Sequence, residues 1–355
     1  MNNKDMMRAA VYHGIKDIRV EEIAIPKIND EDILLKVSTC AICGTDDKAF
    51  NFGYKNLKSP MIIGHEVCGS IVEIGSSVKG YEIGERVSIV PIVYCGKCYY
   101  CKKELTHLCV DFMKKTEAFG FYYPGGFAEY MAIPGKAIKG GNLIKVPDDV
   151  SDEEASIAEP MACALNGQIL AEVCEKDVVL IIGAGPMGCM HINVAHALGA
   201  KKILVSEVCE ERLKLARKFK ADCYVNPKNK DLRKSVMQAT NGVGASVVII
   251  AAASKVAQEN ALELVSCRGH INFFGGLPQD DCFINLDSNI IHYKELFIHG
   301  SSGCTAIHLK KCIDLISKKK VNAKKFISKV VSLDELPNTM LNEENRKFLK
   351  IVVKP

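Results

Sequence analysis

Cys95, Cys98, Cys101 and Cys109 fall in one short segment with the spacing C-x₂-C-x₂-C-x₇-C. Two-residue gaps let neighbouring thiolates converge on one ion, and a fourth ligand from a short loop closes the tetrahedron of a structural Zn²⁺ site. Such a site stabilises the lobe that carries it and leaves the reaction to other residues. A second set of ligand types lies upstream, in Cys43-Gly-Thr45-Asp46 and Gly64-His65-Glu66, and Glu159 in Ala-Glu159-Pro160 adds a further carboxylate. Three protein ligands with a fourth position open to water or substrate is the pattern of a catalytic zinc. Asp46 suits the role of orienting His65 better than that of ligating the ion.

The third constellation is a phosphate cradle. Val178-Val-Leu-Ile-Ile-Gly183-Ala-Gly185-Pro186-Met187-Gly188 reads as a strand running into G-x-G-x-x-G. The first glycine permits the tight turn, the second lets a pyrophosphate approach the backbone, and the third lets helix and strand pack closely. Pro186 suits the first helical turn, where its missing N–H costs nothing, and Met187 follows beside the free N–H groups that would face the phosphates. Glu207 closes the next apolar run about twenty residues on, where a carboxylate accepts from adenosine ribose hydroxyls and repels a 2′-phosphate, favouring NAD over NADP. Arg212 offers the opposite reading, a guanidinium for that phosphate, and fits equally well as an ordinary helix-surface charge.

These groups need elements to position them. A chain of 355 residues exceeds the size at which one hydrophobic core keeps growing, so two domains are expected. Early apolar runs (Ile18–Ile23, Ile33–Val37, Ser70–Ile74, Arg86–Ile89) are short and punctuated by Gly and Pro, which suggests a small barrel or sandwich. From about residue 155, buried-strand runs (Val178–Ile182, Ile203–Ser206, Val247–Ala252, His270–Phe274) alternate with helical stretches (Glu210–Lys220, Val256–Ser266), the texture of a doubly wound parallel α/β sheet. An amphipathic helix over Ala306–Lys318 and a strand over Phe348–Val353 follow, and a returning C-terminal strand would make the first domain discontinuous. The boundaries expected are 1–154 with 296–355 for the catalytic domain, its zinc lobe at 93–112, and 155–295 for the dinucleotide domain.

Composition excludes other classes. The net charge of +4 is spread over both signs, which argues against a nucleic-acid or membrane footprint. Sixteen cysteines scattered through apolar stretches suit a reducing compartment, and the first residues lack the apolar core of a signal peptide; the cytoplasm is the expected location. Val178–Ala200 carries no Asp, Glu, Lys or Arg, yet its glycines and Pro186 break it as a membrane span.

Taken in order, these motifs resemble the zinc-dependent medium-chain dehydrogenase/reductase family, the alcohol dehydrogenase superfamily, within its sorbitol (polyol) and threonine dehydrogenase branch. The resemblance spans almost the whole chain. It implies a GroES-like β-barrel catalytic domain completed by the C-terminal segment, a Rossmann domain, two zinc ions per chain, NAD, and a homodimer or homotetramer. It implies that Cys43, His65 and Glu66 hold the catalytic zinc, that Glu159 ligates the metal or its water, and that Thr45 relays the proton. Two positions depart from the pattern. Lys48 stands where many relatives carry a histidine, and Gly300-Ser-Ser-Gly303-Cys-Thr305 lacks the arginine that polyol and threonine enzymes use there. The expected activity is oxidation of a secondary alcohol, a polyol, cyclitol or sugar derivative, with threonine or a sugar phosphate as alternative substrates. A zinc-ribbon binding module would leave Cys43, His65 and the glycine motif unexplained, and a zinc-free reductase of the same fold would lack the Cys43/His65 pair.

Overall fold

The computed structural model describes residues 5–355, and the chain divides into two units. One comprises Met1–Glu159, Cys304–Lys319 and Ala323–Pro355; the other comprises Pro160–Gly303 and Lys320–Asn322.

The second unit is built on six strands: β1 (Val178–Ile182), β2 (Lys202–Ser206), β3 (Cys223–Val225), β4 (Ala245–Ile250), β5 (Val265–Phe273) and β6 (Phe297–Gly300). Their spatial order is β3-β2-β1-β4-β5-β6, and every pairing is parallel. This is the doubly wound arrangement, whose order reverses between β1 and β4 and leaves a crevice at the carboxyl ends of those strands. Strands covered on both faces must be apolar throughout, and Leu180, Leu204, Val248, Ile250 and Ile271 form the core under them. The sequence expected β4 two residues later than it lies, because Ala251 and Ala252 extend the apolar run after pairing has ended.

The first unit carries two sheets. Asp17–Ala24, Met6–Gly14 and Met61–Ile62 form one; the other, seven-stranded, runs Ile327–Ser332, Lys350–Lys354, Ile33–Ala41, Glu66–Ile74, Arg86–Ile89 and Leu143–Lys145, with Tyr130–Ile133 also paired to Ile33–Ala41. The C-terminal strand Lys350–Lys354 lies antiparallel to Ile33–Ala41, with Val352 opposite Ala41 and Val353 opposite Cys40. Alternation places Ile33, Leu35 and Val37 inside with Ile71, Phe119, Phe127 and Met131. The helices Glu210–Ala216, Lys255–Leu264 and Ala306–Ser317 occupy the stretches read as helical, the first ending in a 3₁₀ turn, Arg217–Phe219. Among the described residues, no helix is long and apolar enough to cross a membrane.

Candidate active site and dinucleotide cradle

The strand Ile33–Ala41 ends next to Cys43, which caps the helix Gly44–Phe52. Asp46, three residues into that turn and fully buried, accepts the Cys43 backbone N–H at 3.0 Å, so the helix start fixes the thiol's backbone. His65 and Glu66 arrive from the strand Glu66–Ile74, which pairs with Ile33–Ala41 in register, Ala41 opposite Glu66. Gly64 makes the approach possible: its φ is +93°, and a Cβ there would meet Cys40 Sγ at 2.8 Å and the Phe127 ring at 2.9 Å.

One ligand atom each from Cys43, His65 and Glu66 lies within 4.8 Å of the others. Thr45 Oγ1 accepts from Cys43 Sγ at 3.6 Å, and Asp46 Oδ1 lies 3.3 Å from His65 Nδ1, outside hydrogen-bond geometry. Asp46 Oδ1 and His65 Nδ1 are buried without hydrogen-bond partners, and Glu66 Oε2 is answered only by the nearby charge of Lys350. Burial alone would lower the His65 pKa, but the negative charges of Asp46 and then Cys43 outweigh it and hold it well above the usual imidazole value. Thiol, imidazole and carboxylate converging in a buried, electronegative spot with unmet polar atoms is the donor set a zinc ion takes, so these residues fit the metal.

Two further charged side chains are buried. Glu159 is buried but stands outside the trio, its Oε1 accepting from Cys304 Sγ at 3.8 Å. Lys350 ion-pairs with Glu66 at 2.5 Å in complete burial. Nothing in the residue pattern points to Cys304. For Lys350 the only hint is a charge at the head of the apolar run Ile351–Val353, whose partner 284 positions away no spacing rule connects. Lys48 is exposed on the same helix as Thr45.

In the cysteine lobe, the ligand atoms of Cys95, Cys98, Cys101 and Cys109 again lie within 4.8 Å of one another. Cys98 Sγ lies 3.4 Å from Cys101 Sγ, and the Cys98 and Cys95 backbone N–H groups donate to Cys95 Sγ and Cys109 Sγ at 3.4 and 3.3 Å. The Val110 and then the Cys101 N–H hold the Cys98 thiol down at about 6, whereas burial and then Cys98 push Cys101 up to about 12. Four sulfurs that already compete for protons at this separation fit a tetrahedral zinc.

In the second unit, Gly185 caps the helix Pro186–Ala197 with Pro186 in its first turn. A Cβ on Gly188 would lie 1.8 Å from the Gly183 carbonyl oxygen, so helix and strand touch there backbone to backbone; a Cβ on Gly185 would meet nothing within 4 Å. Glu207, buried at the end of β2, accepts the Ala184 N–H at 2.8 Å on Oε2 and the Cys209 N–H at 2.9 Å on Oε1. The cavity beside them, about 600 Å³, is lined by Gly183, Gly185, Pro186, Met187, Glu207 and Arg212 among others. Open backbone at a helix N-terminus, with a carboxylate fixed across the cavity, fits a dinucleotide.

Residues 29–148 match the alcohol dehydrogenase GroES-like domain family, and residues 186–318 match the zinc-binding dehydrogenase family. L-threonine 3-dehydrogenase of Pyrococcus furiosus is 35% identical over 286 residues, which cover 79% of this chain and 78% of that protein. This chain belongs to the zinc-dependent alcohol dehydrogenase family. A zinc-binding dehydrogenase from Sinorhizobium meliloti 1021, solved with NADP, superposes with a TM-score of 0.90 at 28% identity and 99% coverage of both chains. 2R,3R-butanediol dehydrogenase of Bacillus subtilis gives 0.87 at 26% identity, covering 98% of this chain and 99% of that one. The protein is therefore a medium-chain oxidoreductase with a GroES-like and a Rossmann domain, binding zinc and a nicotinamide dinucleotide and acting on small alcohols.

Proposed function

We propose that this dehydrogenase oxidises a small secondary alcohol, a polyol, vicinal diol or sugar derivative, to the ketone with NAD. The observation that carries the reading is the convergence of Cys43, His65 and Glu66 in a buried, electronegative spot with unmet polar atoms. Cys43 and His65 hold the catalytic zinc in this reading, with Glu66 and Glu159 as the carboxylates beside it; the four lobe cysteines hold the structural one. When bound, zinc supplies Lewis acidity to the substrate oxygen and NAD accepts the hydride, the balance being alcohol + NAD⁺ → ketone + NADH + H⁺.

The chain's own residues do the rest. The Thr45 hydroxyl, already against Cys43 Sγ, takes the alcohol proton, and exposed Lys48 lies three residues along the same helix for its release. Asp46 holds His65 in orientation. The Gly183–Gly188 backbone and Pro186-Met187 seat the pyrophosphate, and Glu207 takes the adenosine ribose, which supports NAD over NADP despite nearby Arg212. The homo-oligomer and the cytoplasmic location belong to the same proposal.

The relatives named L-threonine 3-dehydrogenase favour an amino alcohol as the second reading. The missing arginine in Gly300–Thr305 speaks against carrying either threonine or sorbitol over directly. The test is NADH formation with zinc-loaded protein and a panel of polyols, 2,3-butanediol, L-threonine and sugar phosphates. We expect the highest kcat/KM with an uncharged diol or polyol, and with NAD rather than NADP. A clear preference for L-threonine would install the second reading, and no NADH from any of them would end the first.

A further inference from the structure

β5 carries a polar side chain where the sheet alone has no need of one. Ile271 and Phe273 turn to the apolar core on one face of the strand, so Asn272 turns to the other, and there it is completely buried. A buried amide costs stability unless its hydrogen bonds are made, and an apolar residue would need none. The bonds of Asn272 go to definite partners: Nδ2 donates to the Gly167 carbonyl at 2.7 Å, and Oδ1 accepts from Ser301 Oγ at 2.9 Å. Gly167 lies inside the helix Ala158–Leu170, where glycine is a poor choice for the helix itself. A Cβ there would meet Ser301 Oγ at 3.0 Å and the Phe274 ring at 3.2 Å, so the glycine is what lets the chain beyond β5 and β6 come this close. Its two neighbours complete the arrangement. Buried Asn166 donates to the Gly303 carbonyl at 3.0 Å. Buried Gln168 donates to the His191 carbonyl at 2.7 Å, and the His191 ring stands edge-on to Phe274 at 4.5 Å. All of these residues lie within Pro160–Gly303, and one helix backs both segments that leave the carboxyl ends of β5 and β6.

The direction of the cofactor gives those strand ends a task. Glu207 closes β2 and the glycine turn follows β1. A dinucleotide with its adenosine ribose on Glu207 and its pyrophosphate on that turn runs away from β2, so its nicotinamide half heads for the ends of β4, β5 and β6. We propose that Asn272 is a positioning residue for the nicotinamide half of the cofactor. With Asn166 it holds the Ser301–Gly303 backbone where that half docks, acting through Ser301 rather than by touching the cofactor. The inference rests on the reading of Gly183–Gly188 and Glu207 as the dinucleotide cradle.

ADP-ribose is the cofactor without its nicotinamide, so it separates this role from a general one in stability. Zinc-loaded full-length protein is titrated calorimetrically with NADH and with ADP-ribose, and bound NADH is followed by its fluorescence. Asn272→Ala loses both hydrogen bonds without adding bulk; it should weaken NADH roughly tenfold or more and leave ADP-ribose within roughly twofold. The emission of bound NADH should move towards that of free NADH. Ser301→Ala loses one bond and should weaken NADH roughly threefold or more, again sparing ADP-ribose. It removes a single half-buried hydroxyl, so it reads the same point even if Asn272→Ala fails to fold. Ser301→Thr keeps the hydroxyl and should keep the parent's values. Folded Asn272→Ala or Ser301→Ala with the parent's NADH affinity and emission overturns the proposal. Equal weakening of NADH and ADP-ribose overturns it too, because the network then serves the fold alone. Gly185→Ala tests the cradle separately. If it binds ADP-ribose as the parent does, the cradle reading is wrong and the role of Asn272 falls with it. If it binds ADP-ribose more weakly while Asn272→Ala and Ser301→Ala match the parent, only the role of Asn272 falls.

Discussion

Cys43, His65 and Asp46 act through contacts that single substitutions can separate. Cys43→Ala or His65→Ala removes a metal donor, and turnover should fall by about a thousandfold or more while NADH still binds, as read by NADH fluorescence. Asp46→Asn keeps the shape but weakens the charge behind His65; zinc affinity or kcat/KM should drop about 10–100-fold. The cysteine lobe gives a different readout. In zinc-stripped protein Cys98, held at about 6, is thiolate at pH 7 and Cys101, at about 12, is not, so iodoacetamide should label Cys98 first by peptide mass spectrometry. The sign for stability follows. Folding holds the Cys98 proton more weakly than the open chain does, so the metal-free lobe is favoured at high pH and loses that support as pH falls from about 9 towards 6. Thermal unfolding of the stripped protein across that window checks it.

At the scale of elements, the glycine turn after β1 separates packing from binding. Gly188→Ala drives a methyl into the Gly183 carbonyl and should cost about 3 kcal/mol or more of stability, seen as a lowered Tm. Gly185 has φ −68° and open space around its missing Cβ, so Gly185→Ala should fold normally yet bind NADH about tenfold or more weakly. The contrast explains what was legible in the sequence. Local devices announce themselves: a turn into a helix, a two-residue cysteine gap, an apolar run such as Val178–Ile182 or Arg86–Ile89 that the structure places at the same residues. Met6–Gly14 went unread because its Arg8 and His13 interrupt the apolar pattern, although cross-strand pairing with Asp17–Ala24 and Met61–Ile62 makes it a strand. The pairing of Lys350 with Glu66 is illegible for a stronger reason. Their partnership exists only once Lys350–Lys354 lies against Ile33–Ala41, and no window along the chain contains both. Likewise, Glu159 reads as a metal donor by its residue type, and only the packed structure supplies Cys304 as its neighbour.

For the molecule as a whole, the dinucleotide cradle is confined to one unit, since every residue lining its cavity lies between Ile182 and Leu264. The segment Pro160–Gly303 expressed alone should therefore bind NADH while showing no dehydrogenase activity. A chain truncated after Asn322 should behave the same way. It lacks both Ile327–Ser332 and Lys350–Lys354 from the seven-stranded sheet, and circular dichroism should report the lost strand content. The placement of Lys350 also has a temporal side. Glu66 leaves the ribosome 284 residues before the lysine that pairs with it. On a nascent chain Glu66 has no such partner until Lys350–Lys354 docks against Ile33–Ala41. The pairing that neutralises this buried carboxylate is therefore among the last contacts the growing chain can make.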